Sequence, residues 1–399
     1  MTRFVWSACV AAACLAIGLF AGLLPRQAPA GEPYLDARQR PNEYVGPGRE
    51  VPEPKDVAEV RIGYFGPGDP AHADAGDLWA AAQLAIEEAN AQGGYRTKPF
   101  RLVAGWSDDP WRGGAAHMAR LVYAENVWAI VGGIDGASTH LAEQVAAKAL
   151  LPLLSAASTD RTANSAFVPW MFSCLPGDHL QAPVLVEEIA KRTARKPLVV
   201  VSADDHDSRA FLDEFLRCLK KRQMAPAYHF TCRAAAAEVS DVIARAVRAG
   251  PEAVVLVAGP RPSARLIAAL RDGGFRGPVF GSSSMGRRLF LEEAGRAAEG
   301  VLFPLLEDPQ PGSERFREAF RRRHQKSPDF AAASTYDAVQ LLVAAIRRAG
   351  LNRVKIYDAI KEVAPWKGVA GTIAWDPRGS NTRPVRLGTI QDGRIVPAR

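Results

Sequence analysis

From Val60 onward, short apolar runs take turns with longer stretches in which apolar residues recur at helical spacing. Val60–Phe65, Phe100–Trp106, Val127–Val131 and Leu150–Leu154 are too short for helices and rich in branched or aromatic residues, so each predicts a buried strand. Leu78–Ala91 puts Leu78, Ala81, Ala82, Ala85, Ile86 and Ala89 on one side of a helix that Gly93-Gly94 stops, and a second helix is expected over Gly114–Glu125. The densest stretch is Val127–Thr159. Its strand runs into Gly132-Gly133 and an Asp135-Gly136 turn, and Ser138-Thr139 then signals a helix start. That helix presents Leu141, Val145, Ala146 and Ala149 on one face, and the next strand ends in the small polar cluster Ser155-Ala156-Ala157-Ser158-Thr159.

Phe172–Pro176 reads as a crossing, after which the grammar restarts. Helices are expected over Gln181–Arg192, Ala210–Arg222, Val239–Ala249 and Ser263–Asp272, alternating with strands Leu198–Val201, Ala227–Thr231, Ala253–Ala258 and Val279–Phe280. Ser202–Arg209 reads as a polar loop. Helices at Glu314–Gln325, Ser334–Ala349 and Val354–Val363 and short β segments near Gly371–Trp375 and Arg386–Ile390 complete the chain. Such alternation predicts parallel sheets, hence an α/β fold of two doubly wound, Rossmann-like lobes. The small polar turns then lie at strand carboxyl ends, where open α/β sheets bind ligands. Bare amides, hydroxyls and a helix amino terminus there suit a small anion such as a carboxylate; the plainer reading is a pair of capped loops.

Composition narrows the class. With 48% hydrophobic and 23% charged residues over 399 positions, the chain is globular and long enough for two cores. The net charge of +7 is spread among interleaved acids and bases, so no nucleic-acid stripe is implied. Arg3, the apolar run Phe4–Leu24 and Ala28-Pro29-Ala30 read as a secretory signal over residues 1–30. The run is also long enough for an uncleaved membrane anchor. Residues 31–58 are rich in Pro, Gly and charge and read as an arm or linker. Cys174, Cys218 and Cys232 remain after the signal, and two readings stay open: a Cys218–Cys232 disulfide, or free thiols. The seven histidines show no pair at metal-ligand spacing, so no metal and no cofactor is expected. A dinucleotide-dependent or serine-nucleophile enzyme is disfavoured: Gly132, Gly133 and Gly136 do not make G-x-G-x-x-G, and no G-x-S-x-G occurs.

Six ordered motifs carry a resemblance: LAIEEANAQGG at Leu84–Gly94, AIVGGIDGASTHLAEQVA at Ala129–Ala146, LPLLSAAST at Leu151–Thr159, AAEGVLFPLL at Ala297–Leu306, YDAVQLLVAAIRRAG at Tyr336–Gly350 and GVAGTIAWDPRGS at Gly368–Ser380. Together they resemble the type I periplasmic binding proteins of ABC importers, in the branch of branched-chain amino-acid and amide receptors. The resemblance implies two lobes joined by a three-segment hinge, residues 59–175 with 306–366 against residues 176–305 with 367–399. It also implies hinge closure around a ligand. It places the ligand carboxylate at Gly136, Ala137, Ser138 and Thr139 and at Ala157, Ser158 and Thr159, with Tyr336 at the cleft wall. Gly136 stands where amino-acid receptors carry a serine, with Ser138 as the candidate replacement. Ser283 stands where an acid often meets the ligand ammonium, and Asp207 or Asp205 is the candidate acid from another direction. The expectation is an extracytoplasmic, monomeric receptor that takes a small carboxylate-bearing ligand, such as an amino acid, an amide or an aromatic or short-chain acid, and hands it to a permease in the inner membrane. A ligand-sensing subunit of a signalling system would share the fold.

Overall fold

The computed structural model describes residues 43–193, 197–233 and 236–398, so the expected signal, Cys9, Cys14 and the start of the arm lie outside the described residues. The first sheet has five strands in the order β2-β1-β3-β4-β5, all parallel: β1 Val60–Phe65, β2 Phe100–Gly105, β3 Ile130–Gly132, β4 Leu153–Ser155 and β5 Met171–Ser173. The second has seven strands, β14-β13-β10-β9-β8-β6-β7, from β6 Leu198–Ala203, β7 Tyr228–Cys232, β8 Ala253–Val257, β9 Val279–Gly281, β10 Leu302–Leu305, β13 Arg386–Gln391 and β14 Arg394–Pro397. β13 and β14 are its antiparallel strands. A small hairpin pairs β11 Trp366–Lys367 with β12 Thr372–Ile373. The expected α/β architecture of two doubly wound sheets is what the chain adopts.

The buried β strands read from the sequence because both faces are covered: β8, for example, is buried at every position. On the first sheet pack α1 (Gly76–Ala91), α2 (Ala115–Ala119), α3 (Gly136–Lys148), α10 (Phe330–Ala349) and α11 (Arg353–Val363). Around the second are α4 (Asp178–Arg192), α5 (His206–Lys221), α6 (Ala236–Arg248), α7 (Pro260–Asp272) and α8 (Arg288–Ala294). α9 (Ser313–His324) packs Phe316 and Phe320 against α1 and α10, while its arginines reach Glu307, Glu314 and Glu87 at the surface.

Some boundaries differ from expectation for local reasons. The helix expected over Gly114–Glu125 is broken: one α turn is flanked by π turns at Pro110–Gly114 and Arg120–Ala124. Pro260 starts α7, where its fixed φ suits the first helical position, so the helix expected from Ser263 begins three residues earlier. The polar loop expected at Ser202–Arg209 turns into α5 at His206, because the Asp205 carboxylate accepts from the Ser208 N–H at 2.9 Å. α3 uses the same device one strand earlier. Its cap is Asp135, accepting from the Ser138 N–H at 2.8 Å, while the Ser138 hydroxyl accepts from the Asp135 N–H. Asp135→Ala is expected to cost about 1 kcal/mol, read as a lower urea midpoint with an unchanged slope. All three described cysteines are free thiols.

The chain passes between the sheets three times, and polar side chains tie the passages together. Asn381, almost fully buried, donates to the Cys174 carbonyl at 2.7 Å and accepts from the Arg383 N–H at 2.8 Å. The Arg383 guanidinium donates to the carbonyls of Ala370 (2.7 Å) and Leu306 (2.6 Å). Gly371 is glycine for two reasons: its φ is +140°, and a Cβ there would overlap the Arg383 guanidinium. Trp366, Ile373 and Trp375 pack in the core beside the first sheet, before β13 joins the second. Residues 43–58 lie on the first sheet's side, with Tyr44 buried 4.8 Å from Trp170 and Arg49 paired with Asp358.

Candidate functional site: the cleft between the sheets

Because both sheets present strand carboxyl ends to each other, their β–α turns face across a cavity of about 460 Å³. From the first side it is lined by the turns after β1, β2, β3 and β4, including Asp135, Ala157 and Thr159. From the second come the turns after β6, β8 and β9, including Asp205, Asp207 and Ser282–Ser284. Six aspartates reach it (Asp74, Asp108, Asp135, Asp178, Asp205 and Asp207) against two basic side chains, His72 and Arg287. Arg287 is itself committed, donating to Asp329 at 2.6 Å and to the Asp74 carbonyl at 3.0 Å.

The halves touch through specific polar contacts. Gly136, at the start of α3, donates its N–H to Asp207 Oδ1 across the cleft at 2.8 Å. A Cβ at Gly136 would overlap that carboxylate and crowd the His206 ring and Asp160, which explains a glycine where a serine was the usual expectation. Arg161 pairs with Glu214 (2.8 Å) and Arg288 with Asp77 (2.7 Å) in the same sense. Burial pushes the Asp207 carboxyl up to about 8, Asp135 adding to the rise while the Gly136 N–H opposes it. Burial likewise carries Asp178, at the first crossing, well above the usual carboxylate range, against a hydrogen bond from Thr159.

Beside this contact three residues converge that lie far apart in sequence. His140 Nε2 stands 3.0 Å and His206 Nε2 2.7 Å from the same oxygen, Asp160 Oδ2. The other oxygen, Oδ1, is held by the Thr162 N–H (2.8 Å) and hydroxyl (2.6 Å). Burial opposes ionisation of Asp160, but His140, Thr162 and His206 together hold its carboxyl well below the ordinary value. Asp160, with buried Glu143 on its other side, raises His140 to about 9. No metal was expected from histidine spacing, and that expectation missed this group because the fold, not the sequence, makes it.

The expected ligand residues divide. Ala157, Thr159, Asp207 and Ser283 line the cavity, and Gly136 faces it through its N–H. Ser138 and Thr139 do not offer their hydroxyls: Ser138 is spent on the α3 cap and Thr139 on Ser155 at 3.2 Å, both fully buried. Ser138 therefore does not replace the missing serine. Ala137 is half-buried on the first turn of α3, and the Ser158 hydroxyl accepts from the Asp160 N–H. Tyr336 is not at the cleft wall. It sits on the face of α10 that packs on α1 and α9, donating to Glu88 and packing at a tilt with its ring centre 4.7 Å from that of Phe316. Sequence reasoning missed Asp178, Ser282 and Ser284, which the turns after the first crossing and β9 bring in.

A sequence profile of periplasmic binding proteins matches residues 59–394. The chain belongs to that family. Its curated relatives include Leu/Ile/Val-binding protein homolog 1 of Brucella melitensis, 25% identical over 308 residues, 76% of this chain and 82% of that protein. Among solved structures, the leucine-binding protein LivK of Thermotoga maritima superposes with a TM-score of 0.76 at 22% identity, covering 85% of this chain and 98% of that one. An R. palustris solute-binding protein in complex with benzoate gives 0.75 at 15% identity, covering 85% and 95%. At these identities the solved structures show the shared type I periplasmic binding fold. Among the described residues no helix is long and apolar enough to cross a membrane.

Proposed function

We propose that the chain is the extracytoplasmic solute receptor of an ABC importer, and that it closes its two halves on a small amino-acid-type ligand. The observation that carries this reading is the Gly136–Asp207 contact: the amide predicted to meet a ligand carboxylate meets a carboxylate supplied by the protein. A ligand carboxylate that takes over Gly136 frees Asp207 to face the ligand ammonium, whose arrival favours the ionised form of that raised carboxyl. Thr159 and Ser283 supply hydroxyls from opposite sides. The moving bodies are residues 59–174 with 307–381 against 177–305 with 383–398. The segment carrying Ile373 and Trp375 travels with the first sheet, whose core it shares, and not with the second as the motifs suggested. Residues 1–30 act as the export signal, the receptor works as a monomer, and an inner-membrane permease receives the ligand.

Thermal-shift and calorimetric screening against amino acids, amides and aromatic acids tests the reading. Binding is expected for ligands carrying both an amine and a carboxylate; binding of none of the three classes overturns it. Thr159→Val and Ser283→Ala are each expected to weaken that binding about tenfold, one hydrogen bond each, while Tyr336→Phe leaves it unchanged.

A further inference from the structure

We propose that His140, Asp160 and His206 form a divalent transition-metal site of the zinc class that staples the two halves of the molecule together beside the ligand cleft. The three ligand atoms lie within 4.8 Å of one another. His140 stands on α3 and Asp160 follows β4, both on the first sheet's side, whereas His206 opens α5 on the second. The site exists only when the halves meet.

The donor set is the argument for the metal class. Two imidazoles and one carboxylate suit zinc and its neighbours, whereas magnesium and calcium prefer all-oxygen shells. The Nε2 atoms now sit 3.0 and 2.7 Å from Asp160 Oδ2, and a tetrahedral zinc with bonds of about 2.0–2.1 Å needs ligand separations of about 3.3 Å. Moving each ring a few tenths of an ångström away from Asp160 brings both of these separations to that value. The surroundings are built for a ligand carboxylate: Thr162 holds Asp160 Oδ1 through two hydrogen bonds, so that Oδ2, the oxygen both imidazoles approach, is the one turned to the metal position. Glu143 gives the outer shell. It is 97% buried, its Oε2 lies 3.7 Å from His140 Nδ1, and its Oε1 has no hydrogen-bond partner. A carboxylate behind a metal-binding imidazole fixes the ring and its tautomer, which is the role that position fits. Asp160 is buried at the floor of the group, while both rings are part-exposed, so an ion enters from solvent and a fourth position stays open to water.

The test uses the untagged mature chain, treated with chelator and titrated with zinc chloride in a calorimeter. In parallel, metal content is counted by mass spectrometry and the radius of gyration followed by X-ray scattering. One zinc per chain and a smaller radius on binding are expected. His206→Ala should weaken binding by at least about 100-fold and abolish the contraction, and Glu143→Gln should weaken it by about tenfold, the outer-shell range. His229→Ala, away from the group, should bind as the parent does. Where His206→Ala melts below the parent without metal, His206→Gln serves in its place. No zinc binding, parent-like binding by His206→Ala and Glu143→Gln, or binding without contraction each overturns the proposal. Capture of amino acids is measured separately on the same proteins, so failure of the metal site and failure of the receptor reading are told apart.

Discussion

Arg383→Ala is expected to lose about 3 kcal/mol of stability, because it strands two buried carbonyls that have been satisfied by one guanidinium. The side chain is 9% exposed and donates to Leu306 and Ala370, one on the second passage between the sheets and one at the approach to the third. Its own N–H is held by Asn381, which reaches Cys174 on the first passage. Burial lowers the Arg383 pKa against the opposing charges of Asp308, Asp337 and Glu307; an arginine keeps its charge, and the carbonyls offset its desolvation. Urea unfolding at pH 7 reads the loss directly as a shift of midpoint at constant slope. Arg383→Lys, which reaches one carbonyl at a time, should recover roughly half of it. Because Asn381 and Arg383 act as one network, the double alanine variant should cost less than the two single losses together. A shift below about 0.5 kcal/mol for Arg383→Ala, the scale of an ordinary surface change, would show that the passages hold without it.

That network was invisible along the chain, while the architecture around it was not. Strands such as Ala253–Val257 announced themselves because a parallel sheet covered on both faces demands unbroken apolar runs. The helix α1 did so through its apolar spacing, although the one face this spacing marks is only part of what is buried: Ala80 and Leu84 pack in a second cluster with residues of α9 and α10. Helix starts were only half legible. Asp135-Gly136-Ala137-Ser138 and Asp205-His206-Asp207-Ser208 repeat the same acid-x-x-serine cap, yet pattern alone puts one helix start at Ser138 and leaves Ser202–Arg209 a loop. Reading the aspartates as caps would have moved both helices to their true origins and put Asp207 on a first turn facing Gly136. Tyr336 misled for the opposite reason, since a family-like tyrosine on a helix carries no signal of which face meets the cleft. His140, Asp160 and His206 lie 20 and 46 residues apart along the chain, so only the closed fold reveals the group.

Asp207→Asn should flatten the pH dependence of stability between about pH 4 and pH 8, gaining about 3 kcal/mol over the parent at pH 8 and nothing at pH 4. The carboxyl rises from an ordinary 3.8 to about 8 in the fold, burial first and Asp135 second. Within that window the unfolded chain has released the proton and the folded chain still binds it. Stability contributed by this group is therefore present below pH 4 and lost as pH rises through the folded value. The full shift would be worth more, but Asp207 is only part-buried on the cavity wall, and solvent screens part of it. Asparagine keeps an oxygen for the Gly136 N–H and has no proton to lose, so the lobe contact survives while the titration goes. Asp337, whose shift owes nothing to Asp207, titrates in the same direction in both proteins and cancels in the comparison, while Asp178 loses with Asp207 one of the charges that raise it. Parallel stability curves for parent and variant would remove Asp207 from the pH response. The same raised carboxyl makes a second signature in binding. An arriving ligand ammonium favours the ionised form, so capture near pH 7 should release a proton into solution. Calorimetry in buffers of different ionisation enthalpy reads that proton. Its disappearance in Asp207→Asn, with the ligand still bound more weakly, would place the ammonium against this side chain and not against Asp205.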